Sequence, residues 1–189
     1  MTGPRGRLKL FSPERLDQAA REVQALADRQ GIHLALIGGF AMQWYGSDRF
    51  TKDVDFVADG LPRGLKPVRP VTFGGHIFLT SDGVTVDVIV RRDQEAALYR
   101  EALDCARKMR GTAYRLVRPE HLVAMKFGAR RGRDLDDIAG LLGRRRFSAK
   151  RARAVISRHY GWYVAREFDN FIAEIRWRRR AGISEGGRG

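Results

Sequence analysis

Cysteine is nearly missing from this chain. Its 189 residues include one, Cys105, so no internal disulfide can form, and its place in a helix-like pattern predicts a buried, inert thiol. Long apolar runs are missing as well: nothing approaches the roughly 18 consecutive apolar residues of a membrane span. The opening Met1-Thr2-Gly3-Pro4-Arg5-Gly6-Arg7 lacks the apolar centre of a signal peptide. These absences predict a cytoplasmic protein with no membrane partner. The four histidines, His33, His76, His121 and His159, have no zinc-ligand spacing, and His33 reads as a core residue of a buried strand. No internal repeat is present.

Acidic residues are the other scarcity. Asp and Glu number 22 against 36 Lys and Arg, for a net charge of +14 and a pI near 10.9. The imbalance is concentrated late, because from Lys126 onward 17 basic residues face 7 acidic ones. Such a surface suits a polyanion, since each phosphate neutralised releases counterions. A solubilising, arginine-rich surface is the alternative. With 43% apolar and 10% aromatic residues there is enough material for a packed core.

The chain reads in order as follows. Residues 1–10 form a flexible basic tail. Ser12-Pro13 opens a helix with an N-cap hydroxyl and proline at the first position, and Gly31 closes it. A buried strand spans 32–37, and Gly38-Gly39 turns into a brief helix ending near Gly46. A strand at 52–58 follows, then a proline- and glycine-bearing loop at 59–70. Residues 71–79 and 84–90 form a hairpin about Ser81-Asp82-Gly83. A helix runs from Gln94 to Ala106, with a further short strand at 113–117. Pro119 opens a helix through Lys126, residues 133–142 make another, Ser148 caps a third to about His159, and 162–178 form the last. Of Trp44, Trp162 and Trp177, core packing is expected for at least two, with base stacking as the alternative. The run Arg176–Arg180 either grips a phosphate backbone or simply ends a helix favourably.

Within this frame the carboxylates stand out. Strand side chains alternate faces, so Asp53 and Asp55 point the same way. Asp87 sits in an otherwise apolar strand, Val84–Val90, where a lone carboxylate is costly without a cation or a donor. An edge strand with Asp87 facing water is the alternative. Two adjacent carboxylates repel unless a cation lies between them, and Mg²⁺, with Mn²⁺ as a substitute, suits an all-oxygen set. Asp53, Asp55 and Asp87 as metal ligands, with Gly38 and Gly39 letting the backbone approach phosphates, make a phosphoryl-transfer site.

The pattern Gly38-Gly39, thirteen residues, then Asp53-Val54-Asp55 resembles the signature of the DNA polymerase beta-type nucleotidyltransferase superfamily. Arg49-x-Thr51-x-Asp53-x-Asp55 is similar to its minimal members, the AbiEii or MenT-like toxins of type IV toxin–antitoxin systems. Two further motifs of that group are matched by Lys126 in Pro119–Lys126 and by the helix Arg131–Ile138. The resemblance covers about residues 30–142. It implies that Asp53, Asp55 and Asp87 are catalytic, with Asp87 accepting the proton of the acceptor hydroxyl. It further implies that Gly38, Gly39, Arg49, Thr51 and Lys126 face the nucleotide, and that Asp134 and Asp137 orient that lysine or the nucleotide. Residue by residue there are plainer roles: Lys126 snorkelling from an amphipathic helix, Asp134 and Asp137 favouring a helix dipole. One departure stands out: many superfamily members carry serine where this chain has Gly39, although glycine is common in the toxin-like branch.

The expected fold is therefore α+β, a small mixed sheet flanked by helices and followed by a C-terminal helical lobe. Residues 1–117 would be the catalytic core, 118–180 a helical lobe packed on it, and 181–189 a disordered tail. The expected reaction moves a nucleoside monophosphate from an NTP to a hydroxyl, with the 3′ end of tRNA or another RNA as acceptor and a cognate antitoxin as partner. Nucleotidylation of a small molecule or protein, and a non-catalytic nucleic-acid-binding module on the same fold, are the alternatives.

Overall fold

The computed structural model describes residues 11–48 and 50–182. The tail expected over 1–10, most of that expected over 181–189, and Arg49 lie outside them. The chain divides into two compact units, one running to Arg118 and the other beginning at Pro119.

In the first unit, helix α1 (Pro13–Arg29) begins where the Ser12 hydroxyl accepts the Arg15 N–H at 3.4 Å, with proline at the first position. Leu16, Ala19, Ala20, Val23 and Ala27 recur at helical spacing and are buried. Gln30 caps the end, and Gly31 follows in the left-handed region at φ 67°. The strands are β1 (Leu34–Ile37), β2 (Asp53–Ala58), β3 (Lys66–Pro70), β4 (Gly75–Leu79), β5 (Thr85–Ile89), β6 (Arg107–Lys108) and β7 (Arg115–Leu116). Helix α2 (Gly38–Trp44) lies between β1 and β2, and α3 (Ala96–Asp104) follows β5.

The seven strands among the described residues join one mixed sheet in the order β3-β4-β5-β2-β1-β7-β6. The β2–β5 and β1–β7 pairs are parallel and the rest antiparallel. The alternation of β2 and β5 sorts their side chains by face. Val54, Phe56, Val86 and Val88 are wholly buried, while Asp53, Asp55, Thr85 and Asp87 on the other face are half-buried. One sheet face thus supplies core, and the other is left to carry chemistry.

Several expectations are corrected. Residues 59–70 are not all loop, because Lys66–Pro70 pairs with β4 as an edge strand whose residues are all exposed. Pro67 and Pro70 lack an N–H to give, which an edge tolerates and a central strand does not. The strand expected over 71–79 begins only at Gly75. Gly74 and Gly75 turn at φ 106° and 113°, and a Cβ at either would lie within 2.3 Å of the Val90 or Val88 carbonyl oxygen. β5 lies between β4 and β2, so Asp87 is not on an edge. β6 was hidden by its brevity and its two exposed basic residues. His33 is no core residue: it precedes β1, is exposed, and sets Nδ1 2.8 Å from Asp59. Cys105 is the C-cap of α3 and only half-buried.

The second unit is helical: α4 (Pro119–Ala129), α5 (Gly132–Leu141) and α6 (Ala149–Arg180). Ser148 caps α6 by accepting the Arg151 N–H. The expected division into two helices survives as a break at Gly161, whose φ 86° and ψ 170° lie outside helical values. Beyond it Ala165, Phe168, Ile172 and Ile175 are buried. α4 meets α6 closely where Gly128 faces Tyr160, since a Cβ there would fall 2.3 Å from the tyrosine hydroxyl. Arg179 donates to the carbonyls of Ala139 and Leu142 at the end of α5, and Arg178 pairs with Glu174. Part of the terminal arginine run is therefore spent inside the unit. Against expectation, Trp162 and Trp177 are exposed (70% and 62%), while Trp44 packs edge-on to Tyr114 at 6.3 Å between ring centres. No helix among the described residues is long and apolar enough to cross a membrane.

Candidate active site

The sheet register assembles the first group of expected site residues. Asp55 lies opposite Asp87 across the parallel β2–β5 pair and opposite Ile37 across β1–β2, and Asp53 lies opposite Thr85. Directly paired residues share a face, so the three carboxylates stand together on the half-open side of the sheet. Residue 38 begins where β1 ends. Gly38 turns at φ 69°, and a Cβ there would lie 1.9 Å from Asp55 Oδ2. Both the backbone angle and the closeness of the carboxylate demand glycine.

Gly39 has a different reason. A Cβ there would sit 2.9 Å from Thr51 Oγ1 and 3.1 Å from Thr51 Cβ. The space that a serine side chain needs at position 39 is taken by the threonine. Thr51 is buried, and its hydroxyl donates to Asp53 Oδ1 at 2.9 Å. That bond fixes the rotamer of one carboxylate from a residue two positions before it. Arg49 lies outside the described residues.

Asp87 is the least satisfied of the group. Its Oδ1 is buried and has no hydrogen-bond partner among the described residues. Burial pushes its carboxyl above the usual range and the charge of Asp53 pushes it further, while Arg69 and Lys52 pull it back. Neither cation was assigned a role from sequence. The signal for Arg69 was the edge strand hidden inside an apparent loop; that for Lys52 was only its place beside Asp53. The donors are all carboxylate oxygens, as a hard divalent ion prefers, and a cation would relieve both the orphaned oxygen and the Asp53–Asp87 repulsion. The set fits Mg²⁺ in chemistry. Among the described residues, however, no three His, Cys, Asp or Glu side chains are gathered to hold one ion, so the carboxylates are aligned without converging.

The second group lies in the second unit. Lys126 on α4 is buried, and its Nζ donates to Asp134 Oδ1 at 3.0 Å and Asp137 Oδ2 at 2.6 Å. Asp134 and Asp137 stand at i and i+3 on α5, so both turn to the same side. Burial raises the Asp134 carboxyl, but hydrogen bonds from Arg131 and Lys126 overcome it and hold the group below the usual range. A lysine buried this way does not snorkel. Its ammonium is matched by two carboxylates, one of them shared with Arg131 at 2.6 Å.

Comparison with known proteins finds one family match and likenesses of fold. Residues 24–99 match the family "Nucleotidyl transferase AbiEii toxin, Type IV TA system". That stretch contains the glycine turn, Thr51 and all three carboxylates. No curated protein matches the chain. Among solved structures, an antigenic nucleotidyltransferase-like protein from Paracoccidioides brasiliensis aligns at TM-score 0.52 and 16% identity, over 89% of this chain and 95% of that one. The antibiotic-resistance factor ANT(2'')-Ia aligns at TM-score 0.56 and 13% identity, over 84% and 98%. At such identities the likeness is one of fold.

Proposed function

We propose that this chain, a minimal nucleotidyltransferase of the AbiEii type, moves a nucleoside monophosphate from an NTP to the 3′ hydroxyl of an RNA, with tRNA as the acceptor, and acts as a toxin held by a cognate antitoxin. The observation that carries the reading is the buried Asp87 oxygen, without a hydrogen-bond partner among the described residues, on the sheet face that also carries Asp53 and Asp55. A fold does not keep two such carboxylates together for its own stability.

Asp53, Asp55 and Asp87 would hold Mg²⁺, which when bound neutralises phosphate charge and polarises the attacking hydroxyl. The chain's own residues do the rest. Thr51 holds Asp53 in one orientation. Gly38 keeps the backbone against Asp55, so the phosphates meet no side chain there. Asp87 takes the proton of the acceptor hydroxyl as that oxygen bonds the α-phosphorus and pyrophosphate leaves. Lys126, oriented by Asp134 and Asp137, is assigned to the triphosphate. The acceptor is assigned from charge: the 17 basic residues from Lys126 onward favour a polyanion, and a cationic small molecule would be repelled.

Incubation with Mg²⁺, a tRNA pool and each α-labelled NTP tests this directly. The chain should label tRNA from at least one NTP, and Asp53→Ala or Asp87→Ala should cut labelling by about a thousandfold or more while the circular dichroism spectrum is kept. Undiminished labelling by either variant would sink the reading, and label appearing only on protein would reassign the acceptor.

A further inference from the structure

Strand β3 carries two cations for which the transfer chemistry has no use so far. Lys66 and Arg69 are three residues apart, a spacing that in a regular strand puts side chains on opposite faces. The register says otherwise. Lys66 lies opposite Leu79 and Arg69 opposite Ile77, with the ladder slipping between Pro67 and Arg69. Leu79 and Ile77 are two apart and share a face. The extra residue, Val68, is a bulge that turns Arg69 onto the face Lys66 already occupies.

The pairing carries that face across the sheet to the carboxylates. Leu79 lies opposite Thr85 and Ile77 opposite Asp87, and these lie opposite Asp53 and Asp55 in turn. Each cation therefore ends a row that has an aspartate of β2 at its other end. β3 is two strands from β5, about 10 Å at ordinary strand spacing. All of β3 is exposed, and neither cation joins an ion pair among the described residues.

The ends of the rows are not equivalent. At the β1 end, the Gly38 backbone closes against Asp55, which is where the nucleotide's phosphates are assigned. Asp87, assigned to the acceptor hydroxyl, is nearer β4 and β3. An acceptor whose terminal hydroxyl reaches Asp87 has its chain directed over Ile77 and Leu79 toward the bulged edge.

We propose that the β3–β4 edge is the acceptor platform, where Lys66 and Arg69 grip the phosphate backbone of an RNA while its terminal hydroxyl lies at Asp87. This rests on the transfer reading above. Unpaired cations at this edge complement phosphates and oppose a cationic acceptor. The bulge is the device that aims both at one strand of RNA.

The test uses the full chain, a fluorescein-labelled tRNA pool for anisotropy, and the labelling assay. Lys66→Ala with Arg69→Ala should weaken tRNA binding about tenfold or more and make the slope of log K against log salt shallower by about 2. The KM for tRNA should rise in step, and the KM for NTP should not. Arg69→Lys should restore most of the single-site loss, and deletion of Val68, which leaves Arg69 two positions after Lys66 and still opposite Ile77, should keep the affinity. Unchanged affinity and slope in the double variant overturn the platform, as does a rise confined to the KM for NTP. Absence of tRNA binding by the intact chain overturns it outright. An intact chain that labels tRNA while the double variant labels it equally well refutes the platform and leaves the transfer reading standing. Binding that depends on both cations, without labelling by the intact chain, does the reverse.

Discussion

The two units hold opposite kinds of charge cluster. In the second, Lys126 meets Asp134 and Asp137 inside the fold, and every charge has its counter-charge at hydrogen-bonding distance. In the first, Asp87 lies opposite Asp55 and near the charge of Asp53, with a buried oxygen unpaired among the described residues, and two cations stand on an exposed edge strand. A closed cluster completes itself and positions its members. An open one leaves a buried oxygen without a partner among the described residues. That contrast separates charges balanced within their own unit from charges left unbalanced among the described residues, and it can be broken from either side.

The largest effect is expected in the closed cluster. Lys126→Ala leaves two buried carboxylates without their shared ammonium and should cost about 3–5 kcal/mol in urea unfolding. A cost under about 1 kcal/mol would mean that the lysine is kept for chemistry alone. Acid should act next on the same place. The carboxyl of Asp134 is held below its reference value of 3.8. Its contribution is therefore complete above that value and lost as pH falls through the depressed one. Asp134→Asn should flatten the acid limb of a stability-against-pH curve, and a limb of unchanged slope would refute the pairing.

The open cluster should respond with the opposite sign and more weakly. The Asp87 carboxyl is raised above 3.8, so the fold favours its protonated form. Stability from this group is present below the unfolded value and is lost as pH rises through the folded one. At neutral pH, without divalent ions, Asp87→Asn should thus stabilise the chain, by up to about 1 kcal/mol given the partial exposure of the group. The same variant should lose transfer. A rise in Tm beside a loss of labelling would mark the carboxylate as kept for function, and a fall in Tm would remove the repulsion argument.

How much of this was legible beforehand depends on the range of the forces involved. The α1 cap at Ser12, the glycine end of that helix, the Asp53–Ala58 strand and the break near Gly161 are local, and short-range rules find them. The reading of Asp53, Asp55 and Asp87 as one group was legible because alternation along two strands puts them on defined faces. Strand β3 was not. Its prolines and glycine neighbours score as loop, and only pairing with β4 makes them an edge. His33, Trp162 and Trp177 failed for the same reason: burial belongs to the packing around a residue more than to its type.

Composition and spacing determined the apolar faces, the excess of positive charge, the glycine turn and the three aspartates. All of these are properties of neighbouring residues or of sums over the chain. Which strand lies beside which is set by hydrogen bonds between distant segments, so the tertiary structure alone decided that Asp87 lies opposite Asp55 and within reach of the charge of Asp53. It also decided that Thr51 fills the space beside Gly39, that Lys126 is closed in by Asp134 and Asp137, and that one bulged residue turns Arg69 toward the carboxylate face. Side-chain alternation is readable along a single strand, but register exists only between two.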